Sequence, residues 1–449
     1  MKLSKVITPF FCIAFLGIAE VGHTEHRVYF GNLHAHSKLS DGNSTIDPGE
    51  AYRIARVEGN LDFLSLSEHN HMLTGDEMAS LIQAADQATS SNFVALYGQE
   101  YSTINSGFNH TNIHNYPEAI PDWLNGQYQR VFSQVLADFA LNNLGTTILA
   151  GFNHPHEFAT DYGLKSDYNG DWTGFIRDLD PFVQLIAIGN GPADVNNKSF
   201  VPTQNERFEH RDITKGRWFQ YLSHGMHLAP KVDHDSHSPT YGFRVATRTA
   251  VWIDGTFNKA RLLEALSSRH CYSTEDMNLT IIARVGDGNL PGDIIEEVAG
   301  DSIAINLSIT DSDERAARYI VNVYSGVMGS ENVAIRVEDL RRVRTGNGDV
   351  SLMLPTETDV SLYYVIHIKQ ESSDPVSGCS RDDAYLAPIW VEGQIGDDWP
   401  SDSAPYASSR KSKVYHLANC GYVQSISSKN LEYHQDPPEG KRLHKGCPR

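Results

Sequence analysis

The sequence is poor in cysteine, in long apolar runs and in positive charge. Five cysteines among 449 residues are too few for a fold held together by disulfide bridges, so the core must come from packing. Beyond the N-terminus, no segment offers the roughly 20 consecutive apolar residues that cross a bilayer, which predicts a chain without a membrane span. The acidic balance, 37 Lys and Arg against 56 Asp and Glu, disfavours general binding to nucleic acid phosphates.

Histidine, by contrast, is abundant. The chain has 20 histidines, several of them in pairs such as NHPH and HDSH. The hydrophobic content of 40% and the charged content of 21% are typical of a soluble globular protein, and the length allows two or three domains. Because neither hydrophobicity nor net charge accounts for the histidine pairs, they indicate metal or proton chemistry.

Residues 1–19 have the pattern of a secretory signal peptide. Lys2 and Lys5 form a short basic head, an apolar stretch too short to span a bilayer follows, and small residues precede Glu20. A buried first helix is the alternative. The pattern predicts an exported protein, periplasmic or secreted, whose formal charge changes from −19 to about −21 when the two lysines are removed with the peptide.

Residues 27–275 alternate between short apolar runs and helical patterns. In DPGEAYRIARVEGN, Asp47 is placed to cap a helix, Pro48 suits its first turn and Glu50 fits the capping box. Further helices are predicted near 76–89, 127–143 and 215–223. The predicted strands are HRVYFGN, LDFLSLS, FVALYG, TTILAGF, FVQLIAIG and LAPKV. This rhythm predicts parallel strands covered by helices.

Polar clusters follow five of these apolar runs. HRVYFGN leads into HAH, LDFLSLS into EHNH, FVALYGQ into Glu100, TILAGFN into HPH, and LAPKV into DHDSH. In a parallel barrel the carboxyl ends of the strands converge on one face, where catalytic residues sit. Unrelated surface loops would have no reason to repeat this placement. The recurrence therefore predicts one site built from distant segments.

These residues, in this order, resemble the motifs of the PHP (polymerase and histidinol phosphatase) superfamily. The matching positions are His34 and His36 with Asp41, Glu68-His69, Glu100, His110, His154 in NHP, and Asp235 with His237. Within the superfamily, GNLHAHSKLSDG, AYRIARVEGNLDF and SEHN most resemble the CehA/McbA-type metallohydrolases. The resemblance covers about residues 27–275. It implies a distorted (β/α)7 barrel with two or three metal ions at the carboxyl ends of its strands.

The resemblance also implies which side chains hold the metals. The first ion would have the ligands His34, His36, Glu100 and Asp235. The second would have Glu100 as a bridge, with His110 and His154. The third would have Asp41, His69 and His237. Imidazole and carboxylate ligands suit Zn, Mn or Fe, and the sequence does not choose among them.

Two positions depart from the commonest pattern of the superfamily. Glu68 stands where an Asp usually precedes the histidine, and we expect it to support the ligands rather than to be one. In FNHTNIHNY, either His110 or His114 suits the ligand position, because residues four apart on a strand project to the same face. His110 matches the motif better and is preferred.

The implied chemistry is hydrolysis by a metal-bound hydroxide. A small-molecule phosphoester, a monoester or diester, is the favoured substrate, and a carboxylic or carbamate ester of the CehA/McbA type is the alternative. A degenerate barrel that binds metals without catalysis is a further alternative. Candidate proton donors are His156 and His234. Arg244 and Arg248 are candidate clamps for a substrate anion, although packing or surface charge is the favoured reading of both arginines.

Residues 278–395 are rich in β-strand patterns separated by Gly, Asp and Asn turns, at spacings near ten residues. This pattern predicts a small sandwich-like all-β domain. No chemistry beyond packing is evident there. Cys271, just before this region, lacks an activating base and is predicted to be structural. Residues 396–412 are predicted to be a linker.

Residues 413–449 form a basic segment that contains Cys and His. From Arg410 onward there are eight Lys and Arg against three Asp and Glu. His416, Cys420, His444 and Cys447 have plausible zinc spacing, which predicts a structural Zn; a Cys420–Cys447 disulfide is the alternative. The segment is similar to short tails that follow secreted nuclease domains. Nucleic acid binding, and hence nuclease activity, is therefore an alternative that is not favoured over a solvated tail.

Overall fold

A computed structural model of the chain covers its full length, and its described residues are 26–103, 106–124, 127–155, 161–190, 216–243, 246–296, 302–329, 335–337, 343–356, 360–371, 382–392, 406–410, 413–417, 431–434, 438 and 440–443. Among these residues, no helix combines the length and the apolar character needed to cross a membrane. The signal peptide predicted over residues 1–19 lies outside them, so export stays a prediction.

Seven α-helices occur in the described residues: α1 (Pro48–Val57), α2 (Gly75–Ala88), α3 (Tyr128–Arg130), α4 (Ala137–Asn142), α5 (Trp172–Leu179), α6 (Arg217–His224) and α7 (Lys259–Ser267). Short 3₁₀ turns lie at Asn70–Met72 and Asp122–Leu124. The four predicted helices are confirmed, although a π-helical turn over Val131–Leu136 separates α3 from α4. The predicted cap of α1 is also confirmed, because the Asp47 carboxylate accepts from the Glu50 N–H at 2.9 Å.

The strands of the first region are β1 (Arg27–Asn32), β2 (Phe63–His69), β3 (Val94–Thr103), β4 (Ser106–His114), β5 (Leu149–Phe152), β6 (Val183–Asn190), β7 (Ala229–Asp233), β8 (Arg248–Ile253) and β9 (Cys271–Thr274). The six strands predicted from the apolar runs are all present. Strands β2, β5 and β7 are buried along their whole length, as expected for strands covered on both faces.

The β-rich region that follows contains β10 (Thr280–Val285), β11 (Ile294–Ile295), β12 (Ser302–Thr310), β13 (Tyr319–Val327), β14 (Ile335–Val337), β15 (Val343–Thr345), β16 (Gly348–Pro355), β17 (Leu362–Gln370), β18 (Asp383–Leu386) and β19 (Ile389–Val391). Strands β10, β12 and β16 form a three-stranded sheet, while β13 pairs with β17 in the large sheet. Side chains from both sheets share one apolar core with Trp252 of β8 and Tyr272 of β9. The predicted sandwich therefore uses a continuation of the first region's sheet as one of its two layers.

The large sheet has 16 strands, and its main path runs β11-β19-β17-β18-β9-β8-β1-β2-β3-β4-β5-β6-β7. The pairs β1-β2, β2-β3, β5-β6 and β6-β7 are parallel, as predicted. Strand β4 is antiparallel to both neighbours, and β8 lies antiparallel against β1.

The predicted (β/α)7 barrel is not shown, because this mixed sheet is open. Strand β8 pairs with β1 on the side where a closing parallel strand would have to lie. Beyond the strand ends, a single parallel bridge joins Ala35 to Ser236. This bridge brings the segment after β1 beside the segment after β7, so the two outermost clusters predicted from the sequence meet even though the sheet is not closed.

The C-terminal segment forms a separate four-stranded sheet of β20 (Tyr406–Ser409), β21 (Val414–Leu417), β22 (Leu431–His434) and β23 (Arg442–Leu443). Strand β20 lies within residues 396–412, so this sheet begins inside the predicted linker. Of the predicted zinc ligands, Cys420, His444 and Cys447 lie outside the described residues, and only the backbone of His416, in β21, is described. The zinc and disulfide alternatives both stay predictions.

Candidate metal centre

The nine predicted metal ligands come from six segments and meet at the carboxyl ends of the parallel strands. They are His34, His36 and Asp41 after β1, His69 at the end of β2, Glu100 in β3, His110 in β4, His154 after β5, and Asp235 and His237 after β7. Strand register explains much of the convergence. His69 is the lateral neighbour of Glu100, and the Asp235 N–H donates to the His34 carbonyl at 3.0 Å.

Four of these side chains form a buried cluster, the deep group: His34, His36, Glu100 and Asp235. The Nε2 atoms of the two histidines lie 3.2 Å apart, and His34 Nε2 lies 3.2 Å from Glu100 Oε1. Both histidines lie 3.2–3.3 Å from Asp235 Oδ1. A tetrahedral cation with bonds of about 2.0–2.2 Å would separate its ligand atoms by about 3.3–3.6 Å. The spacing of this group therefore fits a first-row divalent cation.

Glu100 also belongs to a neighbouring cluster, the side group, formed with His69 and His110. Its Oε1 lies 2.9 Å from His110 Nδ1 and 3.3 Å from His154 Nε2. Its Oε2 lies 3.4 Å from His69 Nδ1. Each carboxylate oxygen thus contacts the deep group and the side group at once, which is the arrangement that a bridging carboxylate requires.

A third cluster, the rim group, comprises His36, Asp41, His69 and His237. Asp41 is its centre: its oxygens lie 3.1 Å from His237 Nε2, 3.4 Å from His69 Nε2 and 3.6 Å from His36 Nδ1. The Asp41 side chain is 44% exposed, whereas Glu100 is 1% exposed. The rim group is therefore the side of the centre that faces solvent.

The charges of the centre compensate one another. Burial opposes the charged form of His34, but Glu100 and Asp235 outweigh it and raise the pKa of His34 to about 9. Burial opposes ionisation of Glu100 in the same way, but the surrounding imidazoles hold its pKa well below its usual range. Imidazoles that close to buried carboxylates would exchange protons for a cation, since metal ligands must be deprotonated.

Two ligand positions have left-handed backbones. His154 has φ +28° and Asp235 has φ +48°, although both residues carry a β-carbon. Such a conformation costs about 1–3 kcal/mol and persists only where the surrounding structure imposes it. Each residue lies two positions beyond the end of its strand, where this backbone turns the side chains towards Glu100 and His34, so the strain lies where the ligands are aimed.

Glu68 supports the loop that carries His36, as expected for this position. Its carboxylate accepts from the Ser37 N–H at 2.9 and 3.1 Å and from the Ser40 hydroxyl at 2.5 Å. Glu68 is fully buried. It therefore fixes the turn between His36 and Asp41 without contacting the deep group itself.

Of the two alternatives in β4, the structure brings His110 and not His114 to the metal centre. His114 projects from the same strand face, but four residues along a strand correspond to about 13 Å. Its Nδ1 lies 2.8 Å from the Ser65 hydroxyl inside the sheet. Burial and the neighbouring Lys231 lower the pKa of His114 to about 3, so it is a neutral core residue.

Two of the predicted catalytic residues do not face the site. His234 Nε2 donates to the Thr247 carbonyl at 2.8 Å, and burial lowers its pKa to about 3, an arrangement that disfavours its predicted role as a proton donor. Arg248 is buried and donates to the carbonyls of Thr247, Gly59 and Gly242 at 2.8–3.3 Å. This burial and these backbone contacts agree with the favoured packing role of Arg248 and leave the anion clamp an untested prediction.

The other two, His156 and Arg244, lie outside the described residues, so their roles stay predictions. The structure also contains polar residues that the sequence reasoning missed. Asn153 and Lys231 are completely buried and lie directly behind the deep group, together with Asp233. A signal was present for Lys231: it is a charge inside the apolar run LAPKV, two residues before Asp233 and therefore on the same strand face.

The donor set of the centre fits resident divalent cations. Six imidazoles and three carboxylates converge there, and the ligand atoms within each of the three groups lie within 4.8 Å of one another. Mixed nitrogen and oxygen donors of this kind suit Zn, Mn or Fe. When the chain is compared with models of known protein families and with curated proteins, no match is found.

Proposed function

We propose that this protein is a metal-dependent hydrolase of ester bonds, with phosphoesters as its first substrate class. The observation that carries the proposal is the shared ligand Glu100, whose two oxygens join the deep group to the side group. A solvent-facing rim group adjoins both. Adjacent cation positions bridged by one carboxylate are the usual architecture of two-metal phosphoryl-transfer and hydrolysis sites.

The roles of the side chains follow from their depth. The deep group, being buried, would hold its cation permanently. The rim group has an exposed carboxylate, Asp41, and would hold its cation where water and substrate can reach it. Cations in these positions would acidify water and stabilise the charge that develops on a phosphoryl or acyl oxygen. Glu68 would keep Asp41 and His36 in register during this chemistry.

The resemblance to the PHP superfamily belongs to the same proposal. We interpret the open sheet as a distorted form of the (β/α)7 barrel, in which β8 displaces one closing pair and the bridge from Ala35 to Ser236 stands in for it. Support comes from the parallel pairs on both sides of β4 and from the motif order. Export through residues 1–19 stays part of the prediction.

Phosphoesters are preferred over carboxylic and carbamate esters because of the number of oxygens to be bound. A phosphoryl group presents several anionic oxygens to adjacent cations, whereas an acyl group develops negative charge on one oxygen. The CehA/McbA-type ester remains the alternative substrate that the test must separate.

The test is a turnover assay on four substrates with protein loaded in turn with Zn, Mn or Fe. p-Nitrophenyl phosphate and bis-p-nitrophenyl phosphate report phosphoester hydrolysis; naphthyl acetate and a naphthyl carbamate report the alternative. We expect hydrolysis of at least one phosphate that is lost after chelation and restored by metal. Turnover of the carboxylic or carbamate ester alone would show that the protein hydrolyses those esters and not phosphoesters. No turnover of any substrate by metal-loaded protein would favour a binding module.

A further inference from the structure

Behind the deep group, five side chains form a closed ring of polar contacts, the supporting ring. In order around the ring they are Glu100, Asn153, Lys231, Asp233 and His34. The Asn153 amide donates to Glu100 Oε1 at 2.8 Å, and Lys231 Nζ donates to Asn153 Oδ1 at 2.8 Å. Lys231 Nζ also donates to Asp233 Oδ2, which lies 3.3 Å from His34 Nδ1. The His34–Glu100 contact at 3.2 Å closes the ring.

Lys231 is the one member of the ring that only donates. An ammonium group has three donor hydrogens and no acceptor, so whatever faces it must present oxygen. Asn153 accordingly turns Oδ1 to Lys231 and its amide N–H groups to Glu100 and to Asn112, at 2.8 Å each. Without the ammonium, the Asn153 amide loses one of the two contacts, the other being with Asn112, that oppose its turning its oxygen towards the Glu100 carboxylate.

The other arm of the ring reaches His34. The buried Asp233 has the Lys231 ammonium as its partner, and the oxygen that accepts from Lys231 Nζ is also the one that faces His34 Nδ1. A carboxylate opposite Nδ1 keeps the imidazole proton on Nδ1 and leaves the Nε2 lone pair pointing into the deep group. Lys231 thus acts on the imidazole ligand through Asp233 and on the carboxylate ligand through Asn153.

The fold makes room for this lysine. Lys231 is completely buried, and burial lowers its pKa, so its charge is retained only through its partners. Gly151 lies in β5, and a β-carbon added to it would lie 2.7 Å from Lys231 Cε. The glycine therefore leaves the space that the lysine stem occupies, and Gly151→Ala would displace the stem without removing its charge.

We propose that Lys231 is a positioning residue that orients both Glu100 and His34 for binding of the buried cation. The inference rests on the proposed function only in assigning a cation to the deep group; it does not depend on which bond is hydrolysed. It differs from a purely structural role because it predicts a change in the metal site that is larger than the change in the fold.

The experiment compares full-length wild type with Lys231→Met, with Gly151→Ala, and with the matched control Lys259→Met. Lys259 is partly buried, with its Nζ 4.4 Å from the centre of the Tyr97 ring, and it lies outside the supporting ring. Affinity for Zn is measured by competition with a chelator, the visible absorption of the Co-loaded protein reports ligand geometry, and circular dichroism reports the fold.

Lys231→Met is expected to bind Zn about 10–100-fold more weakly, the range found when partners of metal ligands are removed, and to alter the Co absorption. Gly151→Ala should also weaken Zn binding and alter the Co absorption, but by less than Lys231→Met does. Lys259→Met should lower the thermal midpoint and leave affinity and absorption at wild-type values. If Lys231→Met does not fold, Lys231→Met/Asp233→Asn, which removes both buried charges, takes its place with the same expectation.

Folded variants with altered Lys231 that bind Zn within about twofold of wild type, with unchanged Co absorption, would overturn the inference. The measurement contains no substrate, so its outcome is separate from that of the turnover assay. Wild type that binds metal but hydrolyses nothing would refute the proposed function and leave the role of Lys231 to be decided by affinity alone.

Discussion

The deep group and the rim group share His36, yet the structure holds them in opposite ways. The deep group is buried, and the supporting ring fixes two of its ligands from behind. The rim group depends on Asp41, an exposed carboxylate on the loop after β1 that contacts three imidazoles. One side of the centre is therefore built into the sheet, and the other is carried by a loop.

This difference teaches how one centre combines tight retention with access. A buried ligand set is preorganised, so little conformational entropy is lost when a cation binds. An exposed ligand on a loop moves more easily and can accommodate substrate. We expect the deep cation to be retained through purification and the rim cation to exchange. Glu100→Gln and Asp41→Asn probe this division, and Arg248→Met, which lies in neither group, is expected to have the smallest effect on turnover.

The largest effect is expected from Glu100→Gln, which removes the charge that the deep and side groups share. Loss of a partner of a ligand weakens metal binding about 10–100-fold, so loss of a shared ligand should exceed about 100-fold in affinity and abolish turnover. Metal content after dialysis and the rate on the best phosphate substrate measure this. Glu264→Gln, on the exposed face of α7, is the control. Wild-type metal content in Glu100→Gln would contradict a bridging role.

A smaller effect is expected from Asp41→Asn at the rim. The variant should lose the rim cation, keep the deep one, and turn over substrate about 10–100-fold more slowly. Its free energy of unfolding without metal should change by less than about 1 kcal/mol, because exposed ion pairs contribute little. Mass spectrometry counts the bound cations, and chemical denaturation measures the free energy of unfolding. Asp349→Asn, at an exposed position, is the control. Loss of both cations would show that the groups are not independent.

The smallest effect on turnover is expected from Arg248→Met. Its guanidinium bonds three backbone carbonyls, so its loss should lower the free energy of unfolding by about 2–4 kcal/mol. The kcat/KM of the folded variant should stay within about twofold of wild type. Denaturant titration measures the free energy of unfolding, and steady-state kinetics measure kcat/KM. The control is Arg261→Met, at an exposed position on α7. A large rise in KM with unchanged stability would support the anion clamp.

Much of the fold near the site follows from local pattern. Alternating apolar runs and capped helices predicted six strands and four helices correctly, because periodicity and caps are properties of short segments. The antiparallel β4 and β8 were not predicted, since strand direction depends on neighbours that are remote in sequence. Strand β8 occupies the edge of β1 where a closing parallel strand would lie, so its unpredicted direction bears on the missing barrel closure, whereas β4 changes only the order of directions inside the sheet.

For the centre itself, the sequence determined which residues bear the chemistry. His34, His36 and Asp41 stand within eight positions of one another, and most later clusters follow an apolar run, so the pattern indicated one shared site, while the resemblance to the PHP superfamily assigned its individual ligands. Tertiary structure decided which of these side chains reach the ligand groups. His110 and His114 share a strand face, and His234 and Asp235 are adjacent, yet only His110 and Asp235 reach the ligand groups.

The physical reason is that side-chain periodicity sets the face of a strand but not the position along it. Which end of β4 meets Glu100, and where Lys231 sits behind it, depend on strand register and on space left by residues such as Gly151. Those quantities are fixed only when segments some 200 residues apart pack together. The chain thus encodes its ligands locally, and the packed sheet selects which of them converge.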